Sequence, residues 1–202
     1  RVEYASGPWS IKFGDIYEVW GRGLVLAQLD DQGIDFDNSS RGYLINYQAD
    51  GISVTQMSGE TVNAQLGSDL RYPEFEFTHN IDATNINFDA YPFSYGLSFL
   101  QSNELHQLKP LGVMDTVDIN HRLHGAYISW FGSSMDIFAE YVDKQSKERT
   151  FQTNFSGQEI EILNPLKKGS AFYFNSNFYL GNWSLFFEYK KYSFDRLSPV
   201  DT

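Results

Sequence analysis

Two glutamates stand inside alternating aromatic runs: Glu140 in "MDIFAEYVDK" and Glu188 in "WSLFFEYKKY". Asp136 precedes Glu140 by four residues and Lys190 follows Glu188 by two, so in an extended chain each run carries its charges on one face. Paired carboxylates can do general acid–base work. Charge ladders of this kind also line the walls of polar lumens, where they fill space and set ion preference. The second reading is favoured, because no Ser-His-Asp set can be placed and nothing else marks an active site. An enzyme is not expected, and an outer-membrane hydrolase ranks third among the functional readings.

The remaining reactive groups point the same way. His121 and His124 are three residues apart, which places them on opposite faces of a strand and argues against a shared metal. His79 and His106 fall in stretches read as loops, without an evident ligand partner. The stretch "DDQGIDFDN" collects Asp30, Asp31, Asp35 and Asp37, an oxygen-rich set that suits Ca²⁺ but lacks the spacing of an EF-hand loop. An acidic surface loop is preferred there, and no metal or cofactor is expected anywhere. Gly21-Arg22-Gly23 follows a strand-like run yet lacks both the GxGxxG spacing and a following helix. It reads as a glycine-hinged loop that turns back inward, with Arg22 pairing a carboxylate such as Glu18 and "GLVLAQL" acting as a short apolar plug.

Composition narrows the class. The 202 residues carry a net charge of −11 and no basic stripe, which removes nucleic acid as a partner. Cysteine is absent, so disulfides, thiolate metal sites and Cys nucleophiles are excluded. Apolar runs such as "YGLSFL" are far too short for a membrane helix, and no segment holds a 3.6-residue apolar period for three turns. Phe (17) and Tyr (13) are abundant, which favours strands. Residues 1–202 are expected to form a single β-barrel domain, cut from a longer chain at both ends.

About ten period-2 runs can be placed, at 1–6, 9–20, 41–48, 51–59, 82–90, 95–104, 120–131, 134–146, 168–180 and 183–195. The connections between them alternate. "SGPW", "QADG", "YPFSY", "FGSS" and "LGN" are tight turns, whereas 21–40, 60–81, 105–119 and 147–166 are long and polar. In an up-and-down antiparallel sheet this sorts short turns to one edge and long loops to the other, as in outer-membrane barrels. A Greek-key sandwich has no reason to sort its loops this way. The expected fold is therefore all-β: an antiparallel up-and-down meander of about ten strands, part of a transmembrane β-barrel.

Each strand has one bulky face and one mixed polar face. Lys12, Glu18, Arg22, Asp89, Asp136, Glu140, Glu188 and Lys190 are expected to line the lumen. Trp9, Trp130, Trp183, Leu185, Phe187, Tyr189, Phe172 and Phe174 are expected to meet lipid, with the tryptophans beside tight turns forming an interfacial girdle. Asp15 breaks the rule by falling on the bulky face of 9–20. Either a bulge at Gly14 reverses the phase or an inserted loop covers that side.

Particular segments are also familiar. "GDIYEVWGRGLVL", "GIDFDNSSRGYLINY", "YGLSFL", "GAYISWFGSSMDIFAEYVDK" and "GSAFYFNSNFYLGNWSLFFEYKKYSF" resemble an uncharacterised outer-membrane β-barrel family, a domain of unknown function common in Bacteroidota-like bacteria. Phe36 interrupts that family's Gly-Ile-Asp-Asn pattern ahead of Asn38. The resemblance implies a fold and a location in the Gram-negative outer membrane, with lipid as partner, but no activity. The expected role is a porin-like channel for small solutes or ions, or a structural envelope barrel. The alternative is a soluble secreted β-sandwich or barrel that binds carbohydrate through exposed aromatics.

Overall fold

The structure, a computed structural model, describes residues 1–28, 30–31, 36–65, 75–108, 115–153 and 158–194. Thirteen strands form: β1 (Val2–Ser6), β2 (Trp9–Ile16), β3 (Asp30–Asp31), β4 (Phe36–Asp37), β5 (Ser40–Ala49), β6 (Ile52–Gln65), β7 (Phe75–Ala90), β8 (Phe93–Leu108), β9 (Asp115–Phe131), β10 (Met135–Thr153), β11 (Glu159–Leu163), β12 (Lys167–Leu180) and β13 (Trp183–Phe194). Ten of them make one antiparallel meander in the order β1-β2-β5-β6-β7-β8-β9-β10-β12-β13. β11 pairs with the far end of β10, and β3 pairs with β4 in a two-stranded ladder. The end strands β1 and β13 do not pair with each other, so the sheet is open. Among the described residues no helix is long and apolar enough to cross a membrane.

Turn chemistry sorts the connections as the residue types demand. Asp50 and Gly51 both have positive φ (48° and 74°), the requirement of a type I′ hairpin turn. Gly181 (φ 61°) opens the Gly181-Asn182 turn, and Gly7 (φ 56°) opens Gly7-Pro8. With Tyr91-Pro92 and 132–134, all five tight turns lie on one edge of the sheet.

The strands outrun their apolar pattern. β7 and β8 have 16 residues each, β9 has 17 and β10 has 19. Much of 60–81, 105–119 and 147–166, expected as loop, is therefore strand. A backbone ladder needs only paired N–H and C=O groups, so it continues where apolar alternation has stopped. β2 errs in the opposite direction. It ends at Ile16, and Tyr17, Glu18 and Val19 leave the sheet apart from a single Val19–Ala27 bridge.

Because register is continuous from strand to strand, residues fall into rows across the sheet. One inner row runs Leu44–Met57–Ala83–Leu100–Leu123. Ile16, Leu44, Met57, Ile81, Ala83, Leu100 and Val142 bury against Trp20, Val25 and Leu26 of the segment after β2. Strands as distant as β2 and β10 share this core, so the sheet curls around it. Gly96 lets the Tyr127 ring lie flat on the inner wall, since a Cβ at Gly96 would collide with that ring. Gly96→Ala should therefore destabilise the fold by ~1–3 kcal/mol, the usual cost of overpacking. The Gly96→Ala/Tyr127→Ala double variant should cost less than the sum of the two single changes; thermal unfolding of the four proteins measures this.

Candidate functional site

The inner face is layered. Nearest the tight turns, the rows Ser94–Ser129–Phe138–Asn175–Glu188 and Gly96–Tyr127–Glu140–Tyr173–Lys190 cross β8, β9, β10, β12 and β13. Tyr127 stacks beside Phe138 (centroids 5.5 Å apart), and Phe138 meets Tyr173 edge-on at 6.0 Å. Polar groups flank this aromatic ribbon. The Tyr127 hydroxyl donates to Asn87 Oδ1 (2.9 Å), Asn87 Nδ2 donates to Ser53 Oγ (3.2 Å), and Ser98 Oγ donates to Asn85 Oδ1 (2.9 Å). A cleft of ≈ 430 Å³ opens here, lined by Arg22, Tyr127, Ser129, Asp136, Phe138 and Asn177 among others.

Segment 17–28 closes the middle layer. It folds on itself through Gln28 N–H to Glu18 O (2.8 Å), Trp20 N–H to Leu26 O (3.0 Å) and Gly23 N–H to Trp20 O (2.9 Å). Gly21 and Gly23 take positive φ (59° and 81°), which lets the chain reverse direction. Its apolar tip, Val25 and Leu26, is buried against the Leu44–Leu123 row, as expected for "GLVLAQL".

The expected Arg22–Glu18 pair does not form. Glu18 accepts from Lys12 Nζ (3.2 Å), and the backbone N–H of Arg22 donates to Glu140 Oε2 (2.8 Å). A Cβ on Gly21 would stand 2.8 Å from the Glu140 carboxyl atoms, so glycine is needed for this approach. The Arg22 guanidinium lies over the Phe138 ring, 5.2 Å from its centroid. Glu140 is 3% exposed, and its partner lies more than a hundred residues away in sequence, beyond the reach of any local pattern.

The other inner candidates are individually engaged. Glu188 accepts from the Tyr173 hydroxyl (2.7 Å) and pairs with Lys190 (3.2 Å). Asp136 accepts from the Tyr179 hydroxyl (2.6 Å) and Asp89 from Ser94 Oγ (2.6 Å). Glu140 and Glu188 stand in adjacent rows and hold different partners.

On the loop side the inner face carries a cluster that the sequence reading missed. His79 and His106, expected in loops, sit on β7 and β8. Together with His121 of β9 they surround Glu104: Nε2 of His79, His106 and His121 lies 3.7, 3.2 and 3.4 Å from its carboxylate oxygens. His124 lies on the opposite face, edge-on to Phe99. Gln28 Nε2 donates to Ser40 Oγ (2.5 Å), next to Thr61. Of the proposed Ca²⁺ set, Asp35 and the side chains of Asp30 and Asp31 lie outside the described residues. Asp37 accepts the Ser39 backbone N–H (2.7 Å) and the Tyr17 hydroxyl (3.1 Å). The Ser39 N–H in particular holds this carboxyl below its ordinary range. Asn38 donates to the Ala27 carbonyl (2.8 Å), tying the β4–β5 link to segment 17–28.

The outer face is apolar over its turn-side half. Trp9, Phe13, Leu97, Phe99, Ile128, Leu185, Phe187 and Tyr189 are exposed there, and Trp183 reaches 76% exposure. Trp130, Phe172 and Phe174 share this face but are partly covered. Asp15 also stays on the outer face: register runs regularly through Gly14, and Asp15 pairs with Arg41 across the strands (3.2 Å). No phase reversal is needed.

The match to a known family model spans residues 2–197. The chain belongs to the family of unknown function DUF6029. No curated protein and no solved structure matches it. In this DUF6029 chain the contact specific to the site is Gly21-Arg22 on Glu140. Glu140→Ala should loosen segment 17–28, so that a cysteine placed at Val25, in a chain with no native Cys, reacts with a maleimide at least several-fold faster than in the parent. Equal rates in both backgrounds would mean that Glu140 does not hold the segment.

Proposed function

We propose that this DUF6029 chain forms part of a bacterial outer-membrane β-barrel whose lumen is plugged by residues 17–28. Its role is that of a porin-like channel for small polar solutes or ions, opened when the plug moves. The observation that carries this reading is the slant of the outer apolar band. Its last apolar residues are Phe13 on β2 and Tyr43 on β5; then, two steps lower and in one row, Val54 on β6, Ile86 on β7, Ala126 on β9, Tyr141 on β10 and Phe172 on β12, with Phe99 of β8 one step above that row; and Tyr189 on β13, one step lower again. The row that is apolar at Phe13 and Tyr43 continues as Ser58, Asp82, Gln101, Arg122, Gln145 and Lys168. The row containing Phe178 and Leu185, apolar at the other end of the sheet, lies below the β5–β6 turn.

A band fixed in space and crossed by tilted strands drifts through the rows, and here its margin falls by three steps from β2 to β13. A band shaped only by burial against a partner domain has no such requirement. Polar groups at its margin satisfy one another: Thr84 Oγ donates to Gln56 Oε1, and Asp15 meets Arg41. Exposed aromatics at the turn edge (Tyr91, Phe93, Trp183) match an interfacial girdle. Tight turns then face the periplasm, and the long strands project outward beyond the hydrocarbon. In lipid the open edges β1 and β13 cannot stay unpaired, so further strands complete the barrel.

Leu97→Arg should destabilise the protein in bilayers by ~2–4 kcal/mol, as arginine does near the midplane of a barrel's lipid face. Glu188→Gln, on the inner face, should leave stability nearly unchanged. The folded protein should need detergent and migrate differently in SDS before and after boiling. A monodisperse, detergent-free preparation would rule out the membrane assignment and favour the soluble carbohydrate-binding alternative. In planar bilayers the parent should conduct poorly, and Val25→Ser/Leu26→Ser should raise conductance. Unchanged conductance would leave a structural envelope role.

A further inference from the structure

We propose that His79, His106, His121 and Glu104 bind one transition-metal ion of the Zn²⁺ class on the loop side of the inner face. The four residues come from three adjacent strands and share one side of the sheet. His79 and Glu104 are direct cross-strand partners, His106 follows Glu104 by two residues, and His121 lies opposite Ser102. All three imidazoles turn the same atom, Nε2, toward the carboxylate, at 3.7, 3.2 and 3.4 Å. Four donors held about 2.0–2.2 Å from a tetrahedral ion are separated from one another by about 3.3–3.5 Å; the imidazole–carboxylate spacings lie near that value, His79 and His121 against Oε1 and His106 against Oε2.

Hydrogen bonding to Glu104 accounts for His106, whose Nε2 lies 3.2 Å from Oε2, but not for His79. Nε2 of His79 is buried and has no hydrogen-bond partner, a cost that an ion would remove. His121 has the outer support typical of a ligating imidazole, because its Nδ1 lies 2.7 Å from Ser146 Oγ while Nε2 faces inward. With Nε2 on the ion, the His121 proton sits on Nδ1 and Ser146 Oγ accepts it.

As the side chains stand, no group of three or more His, Asp or Glu among the described residues could hold a metal ion, so the donors must rotate to converge. The adjoining cavity of ≈ 220 Å³ leaves room for that movement, and Gln28, Asn38, Leu100 and Lys144 share its lining. Three imidazoles and one carboxylate select Zn²⁺, Co²⁺, Ni²⁺ or Cu²⁺ over Ca²⁺ and Mg²⁺, which prefer all-oxygen shells. A bound ion would clamp β7, β8 and β9 together beside the end of segment 17–28. The site rests on these side chains alone and does not depend on the protein acting as a channel.

The test is titration calorimetry of the metal-stripped, untagged protein in detergent with Zn²⁺, supported by the visible absorption of the Co²⁺ form. One ion per chain is expected, with the intense visible bands of four-coordinate Co²⁺. His79→Ala, His121→Ala and Glu104→Gln should each weaken binding strongly, and Ser146→Ala should weaken it by about tenfold, the lower end for loss of an outer-shell partner. Lys144→Met should tighten binding by removing a nearby cation. His124→Ala, on the outer face, should leave it unchanged. Folding of each variant is checked by its SDS mobility shift. Absence of stoichiometric Zn²⁺ binding by the folded parent, or equal weakening by His124→Ala, would overturn the site.

Discussion

The antiparallel ladder that runs without a break from β1 to β13 is the constraint on which everything else hangs. Each N–H and C=O that it pairs fixes a register, and each register places one residue of a strand in line with one residue of the next. The rows that result decide which side chains share a depth and which share a face. A slip of one residue in any strand would move its side chains to the opposite face. The core around Leu44 and Met57, the aromatic ribbon of Tyr127, Phe138 and Tyr173, and the histidines around Glu104 would then come apart together.

Within that frame the inner surface divides into three layers with different physics. The turn-side layer is polar and aromatic, and its groups satisfy one another in a network anchored on Asn87, Tyr173 and Glu188. The middle layer is dry, made of aliphatic side chains from β2 to β10 closed over Val25 and Leu26. The loop-side layer carries the histidines around Glu104. A buried apolar tip between two polar layers is what a plug requires: its burial holds the tip in place, and the backbone contact of Gly21-Arg22 with Glu140 fixes its position. That contact also keeps a nearly buried carboxylate from being left unpaired, which would be costly.

The outer face poses the opposite problem, a large apolar surface that no described residue covers. Soluble proteins rarely leave such patches open. Its slant across the rows ties together the length of the strands, the place of Asp15 and the mutual pairing of Gln56 with Thr84 under one proposed cause, a flat apolar slab crossed by tilted strands. Asp15 looked anomalous only while its strand was considered alone. Beside Arg41, and above a band that ends at Phe13, it needs no reversal of register.

Much of this fold was legible in the residues. Period-2 alternation located all ten strands of the meander, and Gly, Asp and Asn at the turns sorted the connections, because both signals act over a few neighbouring residues. The ends of the long strands were not legible, since a hydrogen-bonded ladder leaves no apolar signature once both faces are wet. Nor were the partners of Arg22 and Glu104. Arg22 meets Glu140 only because segment 17–28 folds back over the inner face, and Glu104 meets His121 only because β8 and β9 pair in register; contacts over such separations are set by the assembled sheet. Local chemistry determined the class of fold and which residues carry charge; the row-by-row register of the folded sheet alone decided which of those charges meet.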